Sequence, residues 1–268
     1  MQNYQKSSFS ASIEDGSLIT HDVYSRGDQP RVVVIIQELP GIGPETLVLA
    51  EKLHSEGFRV VLPHLFGPLG RVSMVGNMAR VFCLRKEFKL FEKSRTSPIV
   101  DWLRKLCQDI SSQADVSGVG VIGMCLTGNF AISLIADDAV SAAVASQPSL
   151  PLFDSAALHM STEGIAATKK ALTEKGPMMA LRFERDPLCT AEKFSALDNT
   201  FNNDSNRIRL VELPGKGHSV LTLDFMKGGE PARKALEEVI DYFNKSLESK
   251  SKGIKESKGS EYFDSKAG

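Results

Sequence analysis

Short apolar runs rich in β-branched residues, each breaking off at or near a polar side chain, recur along this chain and alternate with helix-spaced patterns. They occupy residues 32–37, 59–62, 119–122, 142–146, 178–183 and 208–212. A strand that is apolar on nearly every residue has no face to show to water. It must be covered on both sides, which is the condition of a parallel sheet flanked by helices. The intervening stretches supply those helices. Residues 45–54 carry a helical pattern that Gly57 would close, and residues 99–106 have the same spacing. Ala232, Ala235, Leu236, Val239, Ile240, Phe243 and Leu247 fall at steps of three and four, the mark of an amphipathic helix. Residues 17–23 are expected to add an antiparallel edge strand. The fold class is therefore α/β, with a mostly parallel central sheet and helices on both faces.

The chain has 268 residues, 42% of them apolar, which suits one large domain with a full core. No internal repeat and no second domain boundary is visible, so residues 1–248 are expected to form a single domain. From 249 to 268 the composition turns to Lys, Ser, Glu and Gly, which cannot bury enough surface to offset ordering entropy, and a disordered charged tail is expected. Residues 67–93 are the least legible and are a candidate cap over the site. A formal net charge of −1 leaves no global field to recruit nucleic acid or an acidic membrane. No apolar run is long enough to span a bilayer, and the first residues have no secretory apolar region. The four cysteines, Cys83, Cys107, Cys125 and Cys189, are widely spaced and form no metal-binding cluster. Free thiols in a reducing cytoplasm are the expectation. Neither a cofactor nor a metal is expected.

Ligands of open α/β sheets bind beyond the carboxyl ends of the strands, so polar residues at those ends matter most. Glu38 follows the first apolar run and Cys125 follows the run at 119–122. Asp186 follows the run at 178–183, and His218 lies in the loop after 208–212. Residues 118–131 read as a buried strand, a sharp turn and a small-residue helix start, with Cys125 at the tip. A nucleophile there is held clear of the backbone beside amides able to bind an oxyanion. The order nucleophile, acid, histidine is that of α/β-hydrolase triads. Asp204 and Asp224 compete for the role of acid but follow no strand in the right place. Cys107 reads as core, Cys189 as a spectator, His54 as a helix-surface residue, and His64 as a strand-end residue able to line the site.

Gln37-Glu38-Leu39-Pro40-Gly41, Gly123-Met124-Cys125-Leu126, Asp186-Pro187 and Gly217-His218-Ser219 stand in this order at strand ends. On these motifs the chain resembles the dienelactone hydrolase family of α/β-hydrolases, from about residue 17 to 247. The resemblance implies an α/β-hydrolase fold and a cysteine-nucleophile carboxylic ester hydrolase acting on small esters or lactones. Its triad would be Cys125, His218 and Asp186, with the amides of Leu39 and Leu126 as the oxyanion hole. It also implies that Glu38 interacts with the resting thiol. Two positions depart from the family pattern. Thr127 stands where the elbow repeats glycine, with Gly128 one step later, and Thr222 stands where the family's namesake has a substrate-gripping arginine. Arg80, Arg85, Arg182 and Arg185 are candidate replacements. These departures motivate a second reading, a catalytically weakened member that binds a ligand or partner. A thiol redox sensor is a third reading. Substrate identity and the choice between monomer and homodimer are not legible.

Overall fold

In the computed structural model, residues 1–256 are described except 15, 68, 70–96, 114, 115, 117, 150–155 and 159. Arg80, Arg85, Cys83, His159 and nearly all of the 67–93 segment thus lie outside the described residues. So do the last residues of the tail.

The apolar runs form the strands that their composition demands. The strands are β1 (Gln5–Ser12), β2 (Leu18–Arg26), β3 (Val32–Ile36), β4 (Arg59–His64), β5 (Val119–Met124), β6 (Val140–Ser146), β7 (Met178–Phe183) and β8 (Ile208–Leu213). They build one eight-stranded sheet in the order β1-β2-β4-β3-β5-β6-β7-β8. From β4 to β8 every pairing is parallel, while β2 runs antiparallel to both β1 and β4. The expected antiparallel strand exists as β2, but it is not the edge. β1 covers it, and β1 escapes a reading by apolar runs because its sequence, QKSSFSAS, is mostly polar and exposed.

Within β3, Val32, Val34 and Ile36 enter one core cluster, and Val33 and Ile35 enter the other. The two-residue period of a strand sends alternate side chains to opposite faces, and here both faces are buried. The first cluster holds Trp102 and Phe130, the second Leu236 and Phe243. The covering helices are α1 (Pro44–Ser55), α2 (Pro98–Ser112), α3 (Gly128–Leu134), α4 (Thr162–Lys175), α5 (Ala191–Phe201), the short α6 (Leu223–Met226) and α7 (Glu230–Glu256). Proline opens α1 and α2, where the missing N–H has no helical partner to lose. Gly57 follows α1 in a left-handed conformation, φ 84°, as the sequence indicated. Ser161 caps α4 by accepting a hydrogen bond from the Gly164 amide at 3.0 Å. α7 continues to Glu256, past the point where the disordered tail was expected to begin. Lys, Ser and Glu cannot nucleate order alone, but a helix already anchored by Phe243 and Leu247 gains one hydrogen bond for each residue added.

Candidate active site

The strand ends meet above β5, the centre of the parallel part of the sheet. β5 ends at Met124, and a single 3₁₀ turn, Cys125–Thr127, leads directly into α3. Cys125 takes φ 57°, a left-handed conformation rare for a residue with a Cβ. Such strain persists only where the surroundings over-determine it, and here they do. A Cβ on Gly123 would collide with the carbonyl of Thr127, and one on Gly128 would lie 2.9 Å from Cα of Pro148. Gly128 thus meets the close approach at the helix start.

Thr127 then has a different task. Its buried hydroxyl oxygen accepts from the Met124 amide at 2.9 Å. Its proton points among the carbonyls of Met124, Ile36 and Gln37 at 2.9, 3.0 and 3.2 Å. A glycine could make none of these bonds. The residue that departs from the elbow pattern ties the elbow to the end of β3.

The acid and the histidine come from neighbouring strands. After β7 the chain turns at Asp186, whose Oδ1 accepts from the amides of Leu188 and Cys189 at 2.8 and 2.9 Å. The Asp186 carboxylate is fully buried, and both its oxygens lie 2.9 Å from Nδ1 of His218. Backbone bonds Glu184 N–H to Leu213 C=O (2.9 Å) and Arg185 N–H to Gly215 C=O (3.1 Å) stitch the acid turn to the histidine loop. Asp224 accepts from the His218 backbone amide at 3.0 Å, so it fixes the loop and leaves the ring to Asp186. Asp204 pairs with Arg207 at the surface.

Nε2 of His218 is buried and, among the described residues, has no hydrogen-bond partner. Cys125 is nevertheless close enough to act on the ring. Burial by itself would lower the imidazole pKa, but the hydrogen bond that Nδ1–H donates to Asp186 and the interaction with Cys125 outweigh it and hold the pKa up at about 10. Cysteine, histidine and aspartate are thus brought together.

Glu38 is buried at the end of β3, but its hydrogen bonds do not go to the thiol. Oε1 accepts from the Thr222 hydroxyl, and Oε2 accepts from Ser219 Oγ at 3.1 Å and Gln147 Nε2 at 3.2 Å. Burial is the largest influence on this carboxyl and raises its pKa, against the lowering effect of Thr222, His218 and Ser219. The thiol's hydrogen bond is with Ser149, whose Oγ lies 3.4 Å from Sγ. The sequence reading included neither Ser149 nor Gln147. Both follow the end of β6, and applying the strand-end rule to that strand would have reached them.

Leu39 follows Glu38 just past the end of β3, and Leu126 follows Cys125 at the elbow. Leu126 is the second residue of the 3₁₀ turn, where an N–H has no partner within the turn. Arg182 is no anion clamp. Its guanidinium is buried and donates to the carbonyls of Phe183, Glu184 and Cys189 and to Glu212. It therefore braces the Asp186 turn. Arg185 is exposed. His64 bonds the Gly67 carbonyl at 3.0 Å, and His54 bonds that of Phe58 at 3.3 Å, just past α1. Cys107 is core, and burial pushes its thiol up to about 12. Cys189 is also fully buried, and burial pushes its thiol pKa upward. Among the described residues no three His, Cys, Asp or Glu side chains gather as metal ligands would, and no helix is long and apolar enough to cross a membrane.

The sequence model of the dienelactone hydrolase family matches residues 21–247 of the chain. No curated protein matches it significantly. Solved structures with the same fold include a dienelactone hydrolase-like promiscuous phosphotriesterase from metagenomic libraries, at 15% identity and TM-score 0.60, covering 90% of this chain and 99% of that one. Another is carboxyl esterase 2 from the mycorrhizal fungus Tuber melanosporum, at 12% identity and TM-score 0.59, with 91% and 88% covered. A cold-adapted esterase from an Arctic intertidal metagenomic library matches at 14% identity and TM-score 0.58, with 92% and 96% covered.

Proposed function

The chain belongs to the dienelactone hydrolase family, and from that premise we propose that it hydrolyses small carboxylic esters or lactones through an acyl-thioester on Cys125. The observation that carries this reading is the Asp186–His218 pair at 2.9 Å beside a left-handed cysteine at the elbow. The solved structures named as esterases share the fold and support the substrate class.

In the proposed cycle, His218 Nε2 takes the thiol proton. An imidazole whose conjugate acid titrates near 10 holds that proton at neutral pH. The thiolate attacks the ester carbonyl carbon, a C–S bond forms, and the carbonyl π pair moves onto oxygen. The amides of Leu39 and Leu126 would receive this oxyanion. Collapse breaks the C–O bond, and the departing alkoxide takes the proton from His218. Water, deprotonated by His218, then attacks the thioester and releases the acid and the thiolate. Asp186 keeps Nδ1 protonated and oriented throughout and stabilises the imidazolium. Glu38 would modulate the thiol at a distance, through its bond to Ser219 in the histidine loop. A reducing, cytoplasmic setting suits a catalytic thiol.

The test is turnover of a short-chain aryl ester by wild type, Cys125→Ala and His218→Ala. Loss of burst and turnover in both variants is expected, and equal rates in Cys125→Ala would remove the thiol from the mechanism. Arg182 commits Nη1 to backbone carbonyls and Nη2 to Glu212, and Thr222 is neutral. Neither offers an anion clamp, so neutral esters are the proposed substrates.

A further inference from the structure

We propose that Ser149 is a positioning residue for the reaction, its hydroxyl being the hydrogen-bond donor that holds the Cys125 sulfur and supports it as a thiolate. This rests on the reading of Cys125 as the nucleophile.

Ser149 arrives at the thiol by a specific route. β6 runs beside β5, with Ser146 in register with Met124. Immediately after β6, Gln147 adopts φ 37° and donates its amide to the Leu181 carbonyl at 2.6 Å. That left-handed residue turns the chain so that Pro148 lies against Gly128 and Ser149 lies over the elbow. The Ser149 amide then donates to the Cys125 carbonyl at 3.1 Å, and Asn129 Nδ2 bridges the carbonyls of Leu126 and Ser149 at 3.2 and 3.3 Å. Backbone bonds thus fix Ser149 to the residue it serves, independently of its side chain.

Among the described residues the side chain has one partner. Ser149 is 1% exposed, and among the described residues its Oγ meets only Cys125 Sγ, at 3.4 Å. While sulfur is protonated, either atom can donate. Once the proton has passed to His218, sulfur can only accept, and the hydroxyl rotates to donate to it. A buried anion is tolerated only when hydrogen-bonded or paired. Among the described residues, few ionisable groups act on this sulfur. His218, backed by Asp186, faces it from the histidine loop, and Cys189 acts on it from the acid turn. Glu38 is bonded to Ser219, Thr222 and Gln147. Ser149, and not Glu38, is therefore the side chain that hydrogen-bonds the thiol.

The experiment is the pH profile of iodoacetamide alkylation of Cys125, read by mass mapping, in wild type, Ser149→Ala and Ser149→Thr, with a thermal melt of each. Removing a donor to an anion should move the half-maximal pH for alkylation up by about one unit in Ser149→Ala. Ser149→Thr, which keeps the hydroxyl, should restore the wild-type profile, and all three should melt cooperatively. An unchanged Ser149→Ala profile in a folded protein overturns the role of Ser149 while leaving Cys125 as the nucleophile. A wild-type profile no different from that of a free thiol overturns both readings. If Ser149→Ala does not fold, Ser149→Thr decides. A wild-type profile there upholds the hydroxyl, and a profile shifted upward in the folded Thr variant contradicts it.

Discussion

Thr222 donates its hydroxyl proton to the buried carboxyl of Glu38 across 184 residues of chain. By resemblance to the family, an arginine would stand at this position, and its charge would hold a neighbouring carboxylate ionised. A neutral hydroxyl does so far less, and burial leaves the Glu38 pKa raised. The same substitution that removes the anion clamp therefore makes Glu38 a carboxyl that tends to keep its proton.

That tendency has a sign. The unfolded chain releases the Glu38 proton near the usual glutamate pKa, while the folded chain retains it to higher pH. Stability from this group is complete below the unfolded pKa and is lost as pH rises towards the folded value. Glu38→Gln removes the titration. Urea midpoints measured from about pH 5 to about pH 8 should fall less steeply in Glu38→Gln than in wild type. Parallel curves would mean that Glu38 ionises equally easily folded and unfolded.

His218 has a linkage of the same sign, set at higher pH. Its folded pKa of about 10 lies above the ordinary histidine value of about 6.5. Stability from the imidazolium is therefore fully present below the unfolded pKa and lost as pH rises through about 10. Ester turnover should show its alkaline limb near that value, because the imidazolium protonates the leaving alkoxide. In Asp186→Asn the largest upward influence disappears, so the limb should move down by pH units and turnover should fall on the order of 10²–10⁴-fold. An unmoved limb in that variant would show that Asp186 does not set the imidazole.

Thr127 gives a stability prediction. Thr127→Val preserves shape but leaves the buried Met124 amide without its acceptor. An unsatisfied buried group costs about 1–3 kcal/mol, and chemical denaturation should show a loss of that size. No loss would mean that the amide finds water or another carbonyl.

Much of this was legible in the sequence because parallel strands buried on both faces must be apolar at nearly every residue. β3, β5, β6 and β7 announce themselves in that way, and their ends locate Glu38, Cys125 and Asp186. β1 does not, because a partly exposed edge strand such as QKSSFSAS has no such constraint. The partner of Glu38 was equally hidden. The family resemblance marks Thr222 as standing in place of an arginine, but only the folded loop shows that its hydroxyl reaches back to β3. Thr127 stands out only as a departure from the elbow pattern, because a sequence carries no sign of the carbonyls that another strand contributes. Ser149 depends on the left-handed turn at Gln147, which no propensity of glutamine foretells.

The central claim is that Cys125 carries the acyl group. Rapid mixing with a short-chain aryl ester, acid quenching and peptide mass mapping test it directly. The account predicts an acyl adduct on the peptide bearing Cys125 that forms with the burst of phenol and decays at the rate of turnover. Turnover without an adduct at Cys125, or at an undiminished rate in Cys125→Ala, would contradict it.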